Sequence, residues 1–233
     1  MSLEQKMTVS CPQCQKESEQ VFYDSINVVV DPLLKAKVLD HSFALFRCHF
    51  CQAVAPVQRD MLYHDPAHCL MIFLHHDEKQ HTVFSLNTML KKARKEMGIE
   101  KSAPEYTIRL VHSANDLVEK VRIFQDAMND KILEVFKVFL LDENNDDYDT
   151  HIYYDGLVEV SGKRGIAFVV FRRDQKPERF SVALKDQEKA FFHMEELLKR
   201  SGAGFELHEG KALKINRDFA VQLLTGGPSF VQK

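Results

Sequence analysis

Hydrophobic and polar positions change period several times along the chain, and each change marks an element. Residues 6–10 predict a strand that runs into Cys11-Pro12-Gln13-Cys14. Residues 21–30 are rich in β-branched and aromatic types and predict a second strand. Asp31-Pro32 then suits a helix start, with Asp as cap and Pro in the first turn, for a short helix to about residue 38. Strands are expected over 42–47 and 53–57, on either side of Cys48-His49-Phe50-Cys51, and over 69–75. In 82–97 the apolar positions Val83, Leu86, Leu90, Ala93 and Met97 step by three and four, which makes one helical stripe, and Gly98 closes it. A strand follows at 106–111. Ser113 with Asp116 three residues on resembles a capping box, opening a helix striped by Leu117, Val121, Phe124 and Met128. Residues 130–141 form a more apolar helix, expected to be buried on more than one face.

The run Asp-Glu-Asn-Asn-Asp-Asp-Tyr-Asp at 142–149 has no core formers and is the best domain boundary. Beyond it, 150–160, 166–172 and 179–184 read as three strands of an antiparallel meander, joined by Ser161-Gly162-Lys163-Arg164-Gly165 and by a turn containing Pro177. An amphipathic helix over 186–200 and a last helix from about Asn216 to Gly226-Gly227 complete the pattern. The expected fold is α+β. A zinc-ribbon-like β module is followed by mixed strands and helices, in a domain over 9–141; a C-terminal module over 150–233 holds the meander and two helices.

Composition narrows the class. Of 233 residues, 45% are hydrophobic and 28% charged, as in an ordinary globular protein with enough chain to bury a core. The longest dense apolar run, 132–141, is interrupted by Glu134 and Lys137, so no membrane span is expected. The start of the chain lacks the basic and apolar regions of a signal peptide, and the expected location is the cytoplasm. A net charge of −3 offers no general attraction to phosphate, which disfavours dedicated nucleic-acid binding.

Five cysteines are an odd number for a disulfide scaffold. Cys11, Cys14, Cys48 and Cys51 instead form two Cys-x-x-Cys pairs, and Cys69, beside the apolar run 70–74, reads as a buried thiol acting as a small hydrophobe. Each pair can present two sulfurs from one tight knuckle. Two knuckles supply the four thiolates of a tetrahedral structural zinc shell with no open position. The 33 residues between Cys14 and Cys48 are long for a compact ribbon. Closure cost nevertheless grows by only about 0.6 kcal/mol per doubling of the loop, and an inserted strand and helix order the segment. Gln15 and Gln52 stand where a glycine often follows such a turn, and His49 stands where the first knuckle has Pro12, so the two turns are expected to be strained or unlike. Metal-free thiols and a redox pair are the competing readings. The flanking strands do not suit a redox motif, which should open a helix.

Other groups are weaker. Six of eleven histidines lie between His41 and His76. His64-Asp65 could be a carboxylate–imidazole pair, although Asp65-Pro66 more simply makes a turn. His75 and His76 could be ligands, but strand neighbours face opposite ways and do not easily share one site. The acidic run 142–149 fails the calcium-loop pattern, with Asp147 in place of Gly and Tyr153 in place of Glu, and reads as a solvated linker. Lys91, Lys92, Arg94 and Lys95 on one helix, and Arg164, Arg172, Arg173, Lys176 and Arg179 around the meander, read as solvated faces.

Several blocks together resemble the bacterial CpXC domain. They are Cys11-Pro12-Gln13-Cys14, Ile26-Asn27-Val28 through Asp31-Pro32-Leu33-Leu34-Lys35, Val38-Leu39-Asp40, Phe46-Arg47-Cys48-His49-Phe50-Cys51 and Leu62-Tyr63-His64-Asp65-Pro66. The resemblance spans roughly residues 9–140, with 119–139 similar to the helical end of the domain. The family is named for two Cys-Pro-x-Cys motifs, and this chain departs at His49. Its function is uncharacterised, so the resemblance implies the cysteine site and a bacterial origin but no activity. The leading expectation is a non-catalytic, zinc-stabilised binding or scaffold protein with a protein partner. The alternatives are a nucleic-acid-associated zinc ribbon, or an enzyme with a site between the two modules.

Overall fold

The computed structural model describes residues 2–97, 105–144, 146–147, 149–202 and 210–226. The elements in chain order are β1 (Leu3–Ser10), β2 (Glu17–Asn27), α1 (Leu33–Leu39), β3 (Leu45–Arg47), β4 (Val54–Pro56), β5 (Met61–Asp65), β6 (Leu70–Leu74), α2 (Val83–Met97), β7 (Thr107–Val111), α3 (Ala114–Gln125), α4 (Asp130–Glu143), β8 (His151–Val160), β9 (Lys163–Phe171), β10 (Glu178–Ala183), α5 (Leu184–Arg200), β11 (Ala212–Leu213) and α6 (Arg217–Thr225). The protein is α+β, as expected. Its contacts divide it into two compact units, Met1–Val118 with His208–Leu213, and Glu119–Leu207 with Lys214–Lys233. The division falls within α3, so α4 and the acidic run after it belong with the meander.

The first unit is built on a six-stranded sheet in the order β1-β2-β5-β6-β7-β11. β7 lies between two parallel neighbours, β6 and β11, and all five of its residues are buried. Such strands are usually continuous apolar runs, but this one buries Thr107 and Arg109 between Ile108 and Leu110. α2 packs its stripe onto this region: Leu86, Ile108, Leu110 and Ala212 form a cluster joined by Val83, Leu90, Met71 and Phe73. The proposed stop at Gly98 lies outside the described residues.

Strand β2 ends at Asn27 rather than continuing to residue 30. The Asn27 side-chain oxygen accepts from the Val29 and Val30 amides at 3.1 and 3.3 Å, a local turn that outcompetes the strand. The N-cap of α1 is Pro32 rather than Asp31, and no side-chain cap forms; the Asp31 carbonyl accepts from Leu34 N–H at 3.1 Å. The expected strand over 42–47 is half 3-10 turn, Ser42–Ala44, and half β3. β5 has no counterpart in the hydropathy pattern, because His64 and Asp65 interrupt its alternation of buried Met61 and Tyr63. The two-residue β11 is too short to carry a pattern at all.

In the second unit β8, β9 and β10 form the expected meander, in the order β10-β9-β8. Asn129 caps α4, accepting from Lys131 and Ile132 amides, and Asn216 caps α6, which ends at Gly226 in the left-handed conformation, φ 66°. Gly165 in β9 has no room for a side chain. A β-carbon there would lie 2.6 Å from Val160 Cγ2 and 2.7 Å from the Val182 carbonyl oxygen. The carbonyl belongs to the sheet and cannot yield, so Gly165→Ala should destabilise the meander by about 1–3 kcal/mol, measured by urea unfolding.

Candidate metal centre

Each pair of cysteines sits on a turn that reverses the chain beside a strand end. At the first, which follows β1, Cys11 N–H donates to the Lys16 carbonyl at 3.0 Å and Gln15 N–H to the Cys11 carbonyl at 2.9 Å. At the second, which follows β3, Cys48 N–H donates to the Ala53 carbonyl at 2.9 Å and Gln52 N–H to the Cys48 carbonyl at 3.0 Å. The Gln13 and Phe50 amides each reach the first sulfur of their knuckle at 3.4 Å. Gln15 and Gln52 adopt left-handed backbones, φ 57° and 61°. The expectation that the turns differ is therefore corrected. His49 does not alter the hydrogen bonding that Pro12 permits, because the third residue and the positive-φ residue set the turn. Both glutamines carry the strain that a glycine would avoid.

The four sulfurs lie within 4.8 Å of one another. The Cys11–Cys51 and Cys14–Cys48 sulfurs are 3.6 Å apart, so these close contacts run between knuckles rather than within one. Four thiolates bound to zinc at about 2.3 Å in a tetrahedron would be about 3.8 Å apart, so the donor set fits one ion held by all four. His49 stands outside this group. Cys11 and Cys48 are buried, at 1% and 0% exposure, while Cys51 is exposed. Phe46 packs against the buried pair, flanked by Val9, Ala53, Ala55 and Val57.

The thiols do not titrate alike. The Cys14 and Gln13 amides draw the Cys11 thiol down to about 6, and the Cys51 and Phe50 amides lower Cys48. Cys51 is pushed up to about 12: its Ala53 amide favours the thiolate, but desolvation and three neighbouring sulfurs prevail. Without a cation, four clustered thiolates repel, and the last to ionise bears the cost. A divalent ion removes that repulsion, and the amide donors hold the thiolate form ready for it.

The remaining candidates fall elsewhere. Asp65 bonds to His68 at 2.8 Å rather than to His64, because the 3-10 turn Pro66–His68 brings residue 68 back over it. His64 contacts Tyr106 Oη at 3.2 Å and Asn27 at 3.5 Å, and its burial lowers its basicity. Cys69 occupies a left-handed turn, φ 47°, half-buried and apart from the four-sulfur group. In the basic helix, Arg94 donates to the Gly210 carbonyl at 2.5 Å and Lys92 lies 3.8 Å from Glu96. Around the meander, Arg172 binds Asp146 and Glu178, and Arg179 binds Asp155. These arginines serve the fold of the second unit.

In comparison with protein families, residues 9–137 match the family described as CpXC protein. No curated protein and no solved structure matches the chain.

Proposed function

The chain belongs to the CpXC family, and from that premise we propose that it is a non-catalytic, zinc-stabilised binding or scaffold protein. The observation that carries the reading is the convergence of Cys11, Cys14, Cys48 and Cys51 within 4.8 Å. Four protein sulfurs fill a tetrahedral shell, so the ion's work is to tie the two knuckles together rather than to activate water or substrate. Sulfur-only tetrahedral sites take zinc or iron; zinc needs no redox partner and suits a purely mechanical role. No helix among the described residues is long and apolar enough to cross a membrane.

A protein partner is supported by apolar surface beside the knuckles. Phe50 and Val54 are 58% and 47% exposed, and Lys16 sits 4.9 Å from the Phe50 ring centre. Aromatic surface with a cation over it is the composition of an interface anchor. The experiment is elemental analysis of tag-free protein purified without chelator. About one zinc per chain bound at these cysteines is expected, lost on Cys11→Ser. A fully folded protein without metal, or one holding iron with visible sulfur-to-iron absorption, would overturn the reading.

A further inference from the structure

A second group of metal-ligating side chains lies in the first unit, away from the cysteines. We propose that Asp60, His75 and His81 form a solvent-open site for a divalent transition ion of the zinc class. Their ligand atoms, one from each residue, lie within 4.8 Å of one another. Asp60 Oδ2 is 2.9 Å from His75 Nδ1 and 3.7 Å from His81 Nε2.

The second distance is informative. At 3.7 Å the His81 nitrogen is too far for a hydrogen bond to the carboxylate. Ligands bound at about 2.0–2.1 Å stand about 2.9–3.4 Å apart around an octahedral or tetrahedral ion, so completing the triad requires His81 to move inward and turn its ring toward Asp60. The two imidazoles are stacked nearly parallel, with centroids 4.1 Å apart and planes 8° off. An imidazole holds its ion in the plane of the ring, so binding replaces this stack: the His81 ring turns out of it as the ion enters.

The carboxylate is already oriented. Its other oxygen, Oδ1, accepts from the His76 amide at 3.0 Å, which leaves Oδ2 aimed at both rings. His75 follows β6, and its carbonyl is held by His112 Nδ1 at 2.6 Å. Such outer contacts fix ligand geometry in metal sites. His75 contributes its ring and His76 only its amide, so these strand neighbours need not face the same way.

The side chains of Asp60, His75 and His81 are 45%, 21% and 39% exposed. Three protein ligands at the surface leave positions for water, so this site would exchange its ion with solution, unlike the four-sulfur centre. Two imidazoles and one carboxylate select borderline ions such as Zn2+, Ni2+ or Fe2+ over Mg2+ or Ca2+.

The test uses full-length, tag-free protein equilibrated in buffered Zn2+ at roughly micromolar free ion, with bound zinc counted in wild type, His81→Ala and Asp60→Asn. Asp60→Asn keeps an oxygen for the His76 amide but removes the anionic ligand. Wild type should hold about one more zinc per chain than either variant, and each variant should bind that ion at least about 100-fold more weakly, since even outer-shell changes cost about 10–100-fold. Circular dichroism of both variants should match wild type. Equal zinc in wild type and variants would overturn the site. The difference between proteins reads this site alone, whether or not the cysteines are filled.

Discussion

Cys48→Ser is expected to strip the metal from the N-terminal unit and unfold the two knuckles, the largest effect anticipated for any single substitution here. Cys48 is fully buried, its amide and carbonyl close the second turn, and its sulfur lies 3.6 Å from Cys14. Serine is a poor zinc ligand, so one corner of the shell opens and the remaining thiolates repel. Structural zinc supplies about 10 kcal/mol or more of folding free energy in small modules. The hairpin it steadies is small: β3 and β4 pair over only three positions. Chelator treatment of the wild type should have the same outcome. The measurement is limited proteolysis with elemental analysis, where new cleavage should appear around residues 11–16 and 48–53. Cys69→Ser, outside the four-sulfur group, should leave the metal content unchanged. Retention of a full zinc equivalent by Cys48→Ser would contradict the assignment.

Lys137→Met should destabilise the second unit by about 3–5 kcal/mol, because it leaves the buried Glu119 carboxylate without its bonded cation and Glu134 with Lys120 alone. Lys137 Nζ donates to Glu119 Oε1 and Oε2 at 2.9 and 3.0 Å and to Glu134 Oε1 at 3.0 Å. Lys120 completes the network, 3.0 Å from Glu134 and 3.4 Å from Asp130. Glu119 also accepts from the Tyr154 amide at 2.6 Å, which ties α3 to β8. None of these charges reaches water appreciably, with exposures from 0% for Asp130 to 6% for Lys137. Burial penalises the Lys137 ammonium, but Glu119 and Glu134 outweigh it and raise its basicity. Burial likewise pushes Glu134 up, while Lys120 and Lys137 hold it below the ordinary carboxylate range.

Glu134 makes the second unit sensitive to acid. A carboxyl depressed by folding contributes stability that is complete above its unfolded value of 4.5 and is lost as the pH falls through its lower folded value. At Glu119 burial wins over Lys137, so its carboxyl is raised, and that contribution runs the other way, weakening as the pH rises past 4.5. Urea unfolding followed by circular dichroism reads both effects. Adding Glu119→Gln, which keeps an acceptor for Tyr154, should restore part of what Lys137→Met loses; strict additivity would show that the charges are not coupled.

Much of the local structure was legible in the residues. The stripes of α2 and α3, the Ser113 cap, the meander and the Asn216-to-Gly226 helix follow from periodicity and capping chemistry, which act within a few residues. Ser113 Oγ accepts the Asp116 amide at 3.1 Å, as its spacing implies. The strand end at Asn27 was hidden because Val28, Val29 and Val30 favour a strand, and only the Asn27 side chain decides against it. β5 was hidden because its polar residues break the alternation, yet Asp65 is 4% exposed and supported by His68.

The charged residues of α4 mark the sharpest limit. Glu134 and Lys137 interrupt an apolar run in a helix expected to be buried on more than one face, and they are buried because Glu119 and Lys120, from another helix, neutralise them. No local pattern reports a partner fourteen or eighteen positions away. The same holds for Asp60, His75 and His81, which share no spacing motif: the antiparallel pairing of β5 and β6 brings Asp60 beside His75, and the turn in which His81 N–H donates to the Asp77 carbonyl at 3.0 Å returns His81 to them.

The residues alone therefore determined which four cysteines are paired in knuckles and what chemistry they favour, since each knuckle is a local turn of six residues. Only the tertiary structure decided that the two knuckles close on each other with all four sulfurs within 4.8 Å, that His49 is tolerated, and that α4 folds with the meander. Those outcomes depend on contacts between segments distant in the chain, where burial and charge pairing, not propensity, set the free energy.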